Sequence, residues 1–493
     1  MKQVRRYLMA MGLVFFASYI MWGQNEDDVF RYSYQESLGS ARTMGMGGAF
    51  GALGADLSCL TGNPAGLGMY RRGDVGMTTG FASQKTKISI AGQFGNASKI
   101  SGSTTNIGIA LSYPSVNPDW PVSTLAVTHT RRANYNQSIE IEDIPFENSL
   151  VSTFLGQAQG YSPSDLYDTF PFTANLAWDT YLLDPHPNGN PTSYISAIPQ
   201  GGARTSKNID RTGQLSETNI GFGSGLSEVV YIGITLGIVN VDFSEETRHR
   251  EVPMLDSLEL TEWTFRENLV IEGSGINVKV GLIAVPSPWL RIGTAYHSRS
   301  RLSMTEKYST GITSTFVDGG PYEVLSPFNQ IEYVIVTPSR FLASADFLLG
   351  KGGIISADYE VVNYATGELR KSAFSPDGAY AFGDENEALQ AVYGTSRMAR
   401  VGAEIRIQDA FRLRFGAGME TSPYTNAAQV EANAKRYQAS FGWGVRSEKW
   451  YGAMTYRRSW TEQDLYLSSP DLVDAAKVGN THGMVVAALG FRM

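Results

Sequence analysis

Residues that carry catalytic or metal chemistry are few in this sequence and poorly spaced. The 493-residue chain has one cysteine, Cys59, and five histidines, scattered as His129, His186, His249, His297 and His482. Metal ligands normally recur within a few residues, and these histidines do not. The glycines at 45, 47 and 51 miss dinucleotide-loop spacing, and no G-x-S-x-G nucleophile motif occurs. The sequence therefore predicts no enzyme, no metal site and no cofactor.

Arginines offer a different chemistry, the binding of an anionic group. Several lie on the polar faces of alternating segments, close to short turns, namely Arg291, Arg406, Arg412, Arg414 and Arg446. A carboxylate head group would be attracted to such side chains, and we assign Arg412 and Arg414 as candidate ligand contacts. The alternative is ion pairing inside the protein with Glu404, Glu420 and the N-terminal segment.

Aromatic residues form a second candidate binding surface. The segment "YSPSDLYDTFPFTANLAWDTYLLDPHP" (161–187) is very apolar for an exposed loop. Phe170, Phe172 and Trp178 are its candidate ligand contacts, in short helices that present a hydrophobic groove. The alternative is that these side chains pack on one another and form a cap.

The elements that position these residues show a period of two. In "FRLRFGAGME", Phe411, Leu413 and Phe415 fall on one face, whereas Arg412 and Arg414 fall on the other. Successive side chains of a strand point to opposite faces, so this segment is an amphipathic β-strand. The same pattern recurs in "LRIGTAYHSR", "VGAEIRIQ" and "YQASFGWGVR".

Composition and the N-terminus bound the class of protein. The chain has 52 glycines, 25 tyrosines, 23 phenylalanines and a net charge of -8, which makes nucleic acid an unsuitable partner. Residues 1–23 combine a basic start, an apolar stretch and a small-residue exit, which predicts a signal peptide cleaved near Gly23. An uncleaved membrane helix is the alternative. No later run of eighteen apolar residues predicts a membrane helix.

Loop lengths distinguish a membrane barrel from a soluble β-protein. We predict about fourteen strands, roughly at 73–83, 103–113, 122–136, 212–225, 229–243, 268–284, 289–303, 330–348, 353–364, 397–408, 410–421, 436–446, 449–459 and 481–492. Connections after even-numbered strands are tight, and those after odd-numbered strands are long, the longest at 137–211. This parity indicates an all-β fold, a transmembrane antiparallel β-barrel (73–493) with long extracellular loops. Two stacked soluble β-domains are the alternative.

The segment 24–72 precedes the first strand and has no strand pattern. It contains "GGAFGALGADLSCLTGNPAGL", in which glycines permit close backbone packing. A barrel of about fourteen strands leaves a lumen that leaks unless something fills it. We therefore interpret 24–72 as an N-terminal hatch that plugs the lumen.

At this segment the sequence resembles the FadL family of outer-membrane transporters for long-chain fatty acids and other hydrophobic compounds. The resemblance rests on the glycine/alanine run, the Asp56-x-Ser58 pair and the Asn63-Pro64-Ala65 turn, with similar later stretches at "LRIGTAYHS" and "ISADYEVVNY". It implies a monomeric barrel of fourteen strands in the outer membrane of a Gram-negative bacterium.

The resemblance also implies functional positions. Related hatches place N-terminal residues in a ligand pocket, which assigns Phe30 and Tyr32 as ligand contacts, and Asn63, Pro64, Ala65 and Gly66 as the gating turn. Ligand would leave sideways near the third strand, at 122–136. There the pair Arg131-Arg132 disturbs the alternation and marks either a β-bulge or the polar end of a strand.

Two functions follow as hypotheses. The first is passive uptake of fatty acids or hydrocarbons with release into outer-membrane lipid. The second is a barrel of the same shape that acts as a protein-binding scaffold, for example for secretion-system cargo.

Overall fold

The computed structural model describes residues 26–90, 93–117, 119–187, 189–198, 202–255, 257–373, 380–425, 434–465 and 476–493. The predicted signal peptide at 1–23 lies outside these ranges. In the part of the chain that is described, no helix is long and apolar enough to cross a bilayer.

Strands dominate the described ranges, as the alternation predicts. They are β1 (Asp74–Ile90), β2 (Gln93–Pro114), β3 (Val122–Asn134), β4 (Gln137–Phe146), β5 (Leu183–Pro185), β6 (Tyr194–Ser196), β7 (Ala203–Leu226), β8 (Val230–Pro253), β9 (Leu260–Ser287), β10 (Leu290–His297), β11 (Arg301–Phe316), β12 (Gly319–Leu325), β13 (Asn329–Val336), β14 (Arg340–Leu348), β15 (Gly353–Asn363), β16 (Glu368–Lys371), β17 (Thr395–Arg406), β18 (Phe411–Glu420), β19 (Arg436–Arg446), β20 (Trp450–Leu465) and β21 (Ala476–Arg492). The α-helices are α1 (Glu26–Ser33), α2 (Ala41–Gly45), α3 (Val151–Ala158), α4 (Pro163–Thr169), α5 (Ala174–Asp179) and α6 (Gly383–Val392).

Within the described ranges, 14 antiparallel spans form a closed wall. Some spans consist of two strands separated by a kink. β10 and β11 form one such span, because β9 pairs with β10 along one half of its length and with β11 along the other. The ring closes because β1 pairs with β21 from Asp74–Arg492 to Ser89–Lys477. Closure joins the first strand of the wall to the last, so the sheet does not end in two open edges. The predicted barrel of about 14 strands with an N-terminal hatch is confirmed.

The tight connections after even-numbered spans share one end of the barrel, as predicted, but the connections at the opposite end are not all long, since only residues 91 and 92 separate β1 from β2. The tight turns that join β2 to β3, β7 to β8, β9 to β10, β14 to β15, β17 to β18 and β19 to β20 share one end. The first strand begins at this end and the last strand finishes there. We call it the lower end, and the end with the long connections the upper end.

The upper strand ends differ from the prediction. The long connection predicted at 137–211 contains β4 and the first part of β7, which pair from Gln137–Arg211 to Phe146–Ala203. The true excursion is therefore 147–202. The prediction stopped too early because it followed an apolar outer face, and that face ends before the strands do.

Strand β8 shows where the outer face changes character. Its lower outward side chains are Ile232, Ile234, Leu236 and Ile238, all exposed to the surroundings of the barrel. Above them the outward positions become polar, with Asp242, Glu246, Arg248 and Arg250. The inward side chains Val239, Val241 and Phe243 are buried at this height. The wall therefore has a lower apolar band for lipid and an upper extension with its own hydrophobic interior.

The excursion 147–202 folds into a small helical unit. Helices α3, α4 and α5 and the β5–β6 hairpin share a core with strands of the upper wall, including Trp263 and Phe265 of β9. The carboxylate of Glu251 on β8 anchors the unit, because it accepts hydrogen bonds from the Leu150 backbone N–H (2.9 Å), Ser149 and Trp263. The unit thus caps the upper end of the barrel.

The hatch lies inside the ring and consists of the short helices α1 and α2 and two 3₁₀ turns joined by irregular segments. The Ser40 side chain accepts a hydrogen bond from the Thr43 backbone N–H at the start of α2, and Asp56 and Asn63 likewise cap 3₁₀ turns at Leu57–Leu60 and Pro64–Met69. Such caps satisfy backbone donors that have no helical partner.

The apolar band generates a prediction. Replacing Ile234, in the middle of the β8 band, with arginine should lower the free energy of unfolding from lipid vesicles by about 2–4 kcal/mol, since a charge on the lipid face must leave water. Urea titration followed by tryptophan fluorescence measures this change. The matched variant Asp242→Arg, outward but above the band, should leave stability nearly unchanged; an equal loss in both variants would contradict the assignment of the band.

Candidate ligand cavity and hatch

A cavity of about 320 Å³ lies in the upper lumen, between α1 and the wall. Its size falls at the lower end of the range for small-molecule sites. Its lining combines hatch residues with wall residues from distant parts of the chain: Asp27, Phe30, Arg31, Tyr34, Glu36, Gln84, 133–137, Arg211, Phe243, Tyr393, Tyr424, Arg436, Ser459, Thr461, Asn480 and His482.

One side of the cavity is an aromatic cluster around Phe30. The Phe30 ring stacks on Tyr393 (centroids 5.1 Å apart) and meets Tyr364 edge-on at 4.9 Å. Tyr424 lies 6.2 Å from Phe30 and 5.2 Å from Tyr393. Offset and edge-on ring pairs of this kind are favourable beyond the area they bury. The cluster therefore forms an apolar, ring-lined surface inside the barrel.

Tyr32 occupies the other face of α1 and is fully buried. Its ring meets Tyr135 and Phe243 edge-on, with centroids 6.0 and 6.1 Å apart. The Arg31 guanidinium lies 4.8 Å from the centroid of the Phe243 ring, within cation–π range. Phe30 borders the cavity, whereas Tyr32 packs behind it against the wall.

The lower side of the cavity is charged. Glu36 Oε2 lies 3.5 Å from Arg457 Nη1 and 3.6 Å from His482 Nδ1. Burial alone would raise the pKa of the Glu36 carboxyl. The facing His482 and Arg457 side chains lower this pKa by more than burial raises it, so the pKa lies well below its usual value. Glu36 is thus an ionised group beneath an aromatic surface, and the cavity is amphipathic.

The wall beside this cavity is interrupted. The ladder between β2 and β3 begins at the pair Pro114 and Val122 and ends at the pair Asn106 and Thr130. On its other side, β2 stays paired with β1 as far as Gln93, which pairs with Ile90. On its other side, β3 has a register shift against β7 between Arg131 and Ala133, so Arg132 is an extra residue. Of the two alternatives left open for Arg131-Arg132, the register shift shows the β-bulge, which lies at the point where the pairing of β3 with β2 ends.

Higher up, β2 approaches the wall again. A Cβ placed on Gly95 would lie 2.6 Å from the Glu140 carbonyl oxygen of β4, so the two backbones are in contact. Lys99 of β2 spans the intervening stretch, with Nζ 2.5 Å from Asp210 Oδ1 and 3.0 Å from the Arg211 carbonyl oxygen. Between the paired residues Asn106 and Thr130 below and the contact of Gly95 with Glu140 above, the β2–β3 ladder is interrupted. We call this interrupted part of the wall the wall window. Residues 133–137, which line the cavity, border it.

The wall holds the hatch below the cavity by contacts with its backbone. Asp358 accepts hydrogen bonds from the Phe50 N–H (3.0 Å) and the Gly51 N–H (3.2 Å). Gln438 Nε2 donates to the Gly47 carbonyl at 2.8 Å. Hydroxyls of Ser440 and Thr455 bind further hatch carbonyls. These bonds satisfy buried backbone groups and fix the hatch in the lumen.

The predicted gating turn lies at the lower end, against β8 and β9. Asn63 Nδ2 donates to the Gly51 carbonyl at 2.7 Å and to the Leu282 carbonyl at 3.2 Å, and Oδ1 accepts from the Ala65 N–H at 3.1 Å. The Pro64 carbonyl oxygen would lie 2.2 Å from a Cβ on Gly233, so only glycine fits there. A Cβ on Gly66 would lie 2.5 Å from Cys59 Sγ. The turn is tightly seated; its role in gating stays a prediction.

The other predicted contacts lie apart from the upper cavity. Arg414 Nε binds Glu404 Oε2 at 2.7 Å, Arg42 of the hatch binds the same oxygen at 2.9 Å, and Arg412 Nε lies 4.0 Å from Glu404 Oε1. This cluster borders a separate small cavity near the lower end. Internal ion pairing is the alternative that the sequence left open, and these distances fit it.

Phe170, Phe172 and Trp178 lie in the helical unit at the upper end. Their rings pack on Tyr161, Tyr308 and Tyr194, with centroids 5.3, 5.5 and 5.2 Å apart. They are half-buried, so these rings both contribute to the cap and remain partly accessible. Their contact with ligand stays a prediction.

Sequence reasoning missed most of the cavity wall. Tyr393 and Tyr424 of the lining, and Tyr364 of the adjoining ring cluster, lie in or beside irregular segments, where no periodic pattern marks a direction. His482 carried a usable signal, because the alternation in "THGMVVAALG" places it opposite the lipid-facing Val485 and hence in the lumen.

No protein-family model and no curated protein matches the sequence. Solved structures match the fold. A FadL homologue from Pseudomonas aeruginosa matches with a TM-score of 0.58 and 11% identity, covering 93% of this chain and 99% of that chain. The toluene transporter TodX of P. putida matches with a TM-score of 0.52 and 11% identity, covering 93% of this chain and 99% of that chain. The monoaromatic hydrocarbon channel CymD matches with a TM-score of 0.50 and 10% identity, covering 92% of this chain and 97% of that chain.

These matches define the class of protein: a hatch-plugged transmembrane β-barrel with the FadL-type fold. The resemblance stated from the hatch motif is confirmed for the fold. At 10% to 11% identity, the architecture is what the chains share.

Cys59 provides a test of how firmly the hatch is seated. It is the single cysteine of the chain, it is buried in the hatch, and burial raises the pKa of its thiol to about 12. Asn63→Ala removes a side chain with three hydrogen bonds, each worth about 1 kcal/mol, and should increase maleimide labelling of Cys59 by about fivefold or more. The control Asn117→Ala, in an exposed lower turn, should label at the wild-type rate. Equal rates in all three proteins would show that Asn63 does not hold the hatch.

Proposed function

We propose that this protein is an outer-membrane channel for passive uptake of hydrophobic compounds, with release sideways into the membrane. One observation carries the proposal: a ring-lined cavity in the lumen borders an interruption of the wall, above a hatch that is bonded to the barrel. A ligand that enters from above thus meets an apolar surface, then a window in the wall, and below them a closed plug.

The hatch argues against a straight path through the lumen. Its backbone is bonded to side chains of several wall strands, and wall glycines allow it to lie in direct contact with the barrel. Moving the hatch aside would break many of these bonds together, each with a net value of about 1 kcal/mol. Uptake that leaves the hatch in place is therefore the less costly route.

The energetics of a hydrophobic ligand favour the same exit. Transfer of each buried methylene into water costs about 0.8 kcal/mol, so a long acyl chain resists release into an aqueous compartment. The lower margin of the wall window lies beside Ile107, a lipid-facing residue of the apolar band. A ligand leaving there passes from the aromatic side of the cavity directly into lipid.

The ligand class we propose is fatty acids or hydrocarbons. The rings of Phe30, Tyr393 and Tyr424 suit an apolar chain or an aromatic ring. Two fold neighbours are described as a toluene transporter and a monoaromatic hydrocarbon channel, which supports apolar cargo. We assign capture to the partly accessible rings Phe170, Phe172 and Trp178. We further propose that Asn63–Gly66 gate the channel and that Arg412 and Arg414 contact a ligand carboxylate. We also propose that the protein is a monomer and has no enzymatic activity.

A protein-binding scaffold is the second candidate. One observation favours it: the loops beside the cap expose large apolar side chains, with Leu325 and Phe328 71% and 67% accessible. A stable protein that co-purifies and requires these two residues, in a preparation that does not take up lipid, would favour the scaffold over the channel.

The wall window supplies the test of the channel. Deleting Arg132 removes the extra residue of β3 and should let β3 run straight, so that its ladder with β2 can extend beyond the pair Asn106–Thr130. A ladder of a few bonds, each worth about 1 kcal/mol, should then lower the uptake rate by about tenfold or more. The measurement is uptake of a fluorescent fatty acid and of toluene by vesicles that contain the purified protein.

Arg132→Ala is the matched control, because it removes the charge but keeps the bulge. It should transport close to the wild-type rate. If the deletion variant folds and transports as fast as the wild type, the wall window is not the exit.

A further inference from the structure

Three neighbouring strands carry an unusual outward surface near the upper margin of the apolar band. β20 pairs with β21 through Trp460–Thr481, and β21 pairs with β1 through Lys85–Thr481, so these residues form one row across the wall. Lys85 and Lys87 of β1 and Arg458 of β20 point outward and are exposed. We call these three residues the basic patch.

The centre of the basic patch is a shallow groove. The outward residues of β21 between the two basic strands are small: Gly479, Thr481 and Gly483. A Cβ added to Gly479 or Gly483 would meet no atom closer than 3.9 and 3.7 Å, so the space above both glycines is open. Long cationic side chains on either side of a low floor leave room for a polar head group.

The charges of the patch are not neutralised within the described ranges, where neither lysine nor Arg458 forms a salt bridge. Among the described side chains of the same face, Glu462 on β20 is acidic and lies one pair of positions above Trp460, and Lys477 on β21 is a further exposed cation. Among these described side chains, four cations and one carboxylate leave a local excess of positive charge. Elsewhere on the outer face the cations Arg250, Arg266 and Lys307 have carboxylate partners.

The height of the patch matches a lipid head group. Phe81, four residues below Lys85 on the same face, is 69% accessible, and Val485 pairs with it on β21. Trp460 lies level with Lys85, and the Arg458 guanidinium lies 5.4 Å from the centroid of its ring. Tryptophan marks the interface between hydrocarbon and head groups. The basic patch therefore lies where acyl chains end and phosphates begin.

We propose that the basic patch binds a phosphate group of an anionic glycolipid in the outer leaflet, such as the phosphorylated glucosamine of lipopolysaccharide. Lys85, Lys87 and Arg458 contact the phosphate, the groove over Gly479–Gly483 holds the sugar, and Phe81 contacts an acyl chain. Charge-assisted bonds from lysine and arginine are the usual means of holding phosphate. The inference rests on the outer-membrane placement proposed above.

The test uses the full chain in mild detergent, with native mass spectrometry as the measure of lipid adducts. Lipopolysaccharide and its dephosphorylated form are titrated separately against the wild type and against the triple variant Lys85→Gln, Lys87→Gln, Arg458→Gln. The triple variant should bind lipopolysaccharide at least about tenfold more weakly, since each cation at a charged membrane surface contributes to binding. The wild type should prefer the phosphorylated form by a similar factor.

A matched control is the variant Arg250→Gln, Arg266→Gln, Lys307→Gln, which removes the same charge from outward positions that are already paired. It should bind like the wild type. An equal loss in both triple variants would mean that general charge is responsible and would overturn the site. The single variants Lys85→Gln and Arg458→Gln provide a graded series if the triple variant does not fold.

Inorganic phosphate separates a lipid site from a site for free anions. Millimolar phosphate should leave the adduct in place; displacement of the lipid by phosphate alone would overturn the proposal. Uptake by vesicles without glycolipid is measured in parallel and should be unchanged in the triple variant. If the wild type takes up no ligand, the channel is contradicted. If the wild type forms no lipopolysaccharide adduct in detergent, only the lipid site is contradicted.

Discussion

The structure depends on one constraint: inside a bilayer, every backbone N–H and C=O must find its partner within the protein. The pairing of β1 with β21 meets it by closing the ring. Closure creates a lumen, and the lumen must be filled or it leaks. The hatch fills it, and because the hatch is built from short helices and turns, its own backbone groups are satisfied by wall side chains such as Asp358 and Gln438.

The same constraint explains why the wall window is informative. In the wall window the ladder between β2 and β3 ends at the pair Asn106–Thr130, and a ladder that stops within the wall is costly in lipid unless the interruption serves another purpose. Here the interruption coincides with the bulge at Arg132, with a cavity inside, and with the Lys99–Asp210 bond that spans it. The proposed route and the local irregularity of the fold thus have a common origin.

The sequence determined most of the lower barrel but little of the upper lumen. "FRLRFGAGME" predicted β18 almost to the residue, because one face met lipid and the other did not. Above Ile238 of β8, the outward side turns polar and the inward side apolar, so the same rule ended the strands too early. The aromatic cluster around Phe30 joins residues far apart in the chain, and no local pattern connects Tyr364, Tyr393 and Tyr424. Such a site depends on tertiary packing.

The central claim is that the hatch stays in the lumen while cargo leaves through the wall. Conductance of the purified protein in a planar bilayer tests it most directly, on the protein that takes up a hydrophobic ligand in vesicles. The account predicts transport of ligand with no steady ionic current, because a seated hatch blocks ions. A stable ohmic current that accompanies uptake would show an open lumen and contradict it.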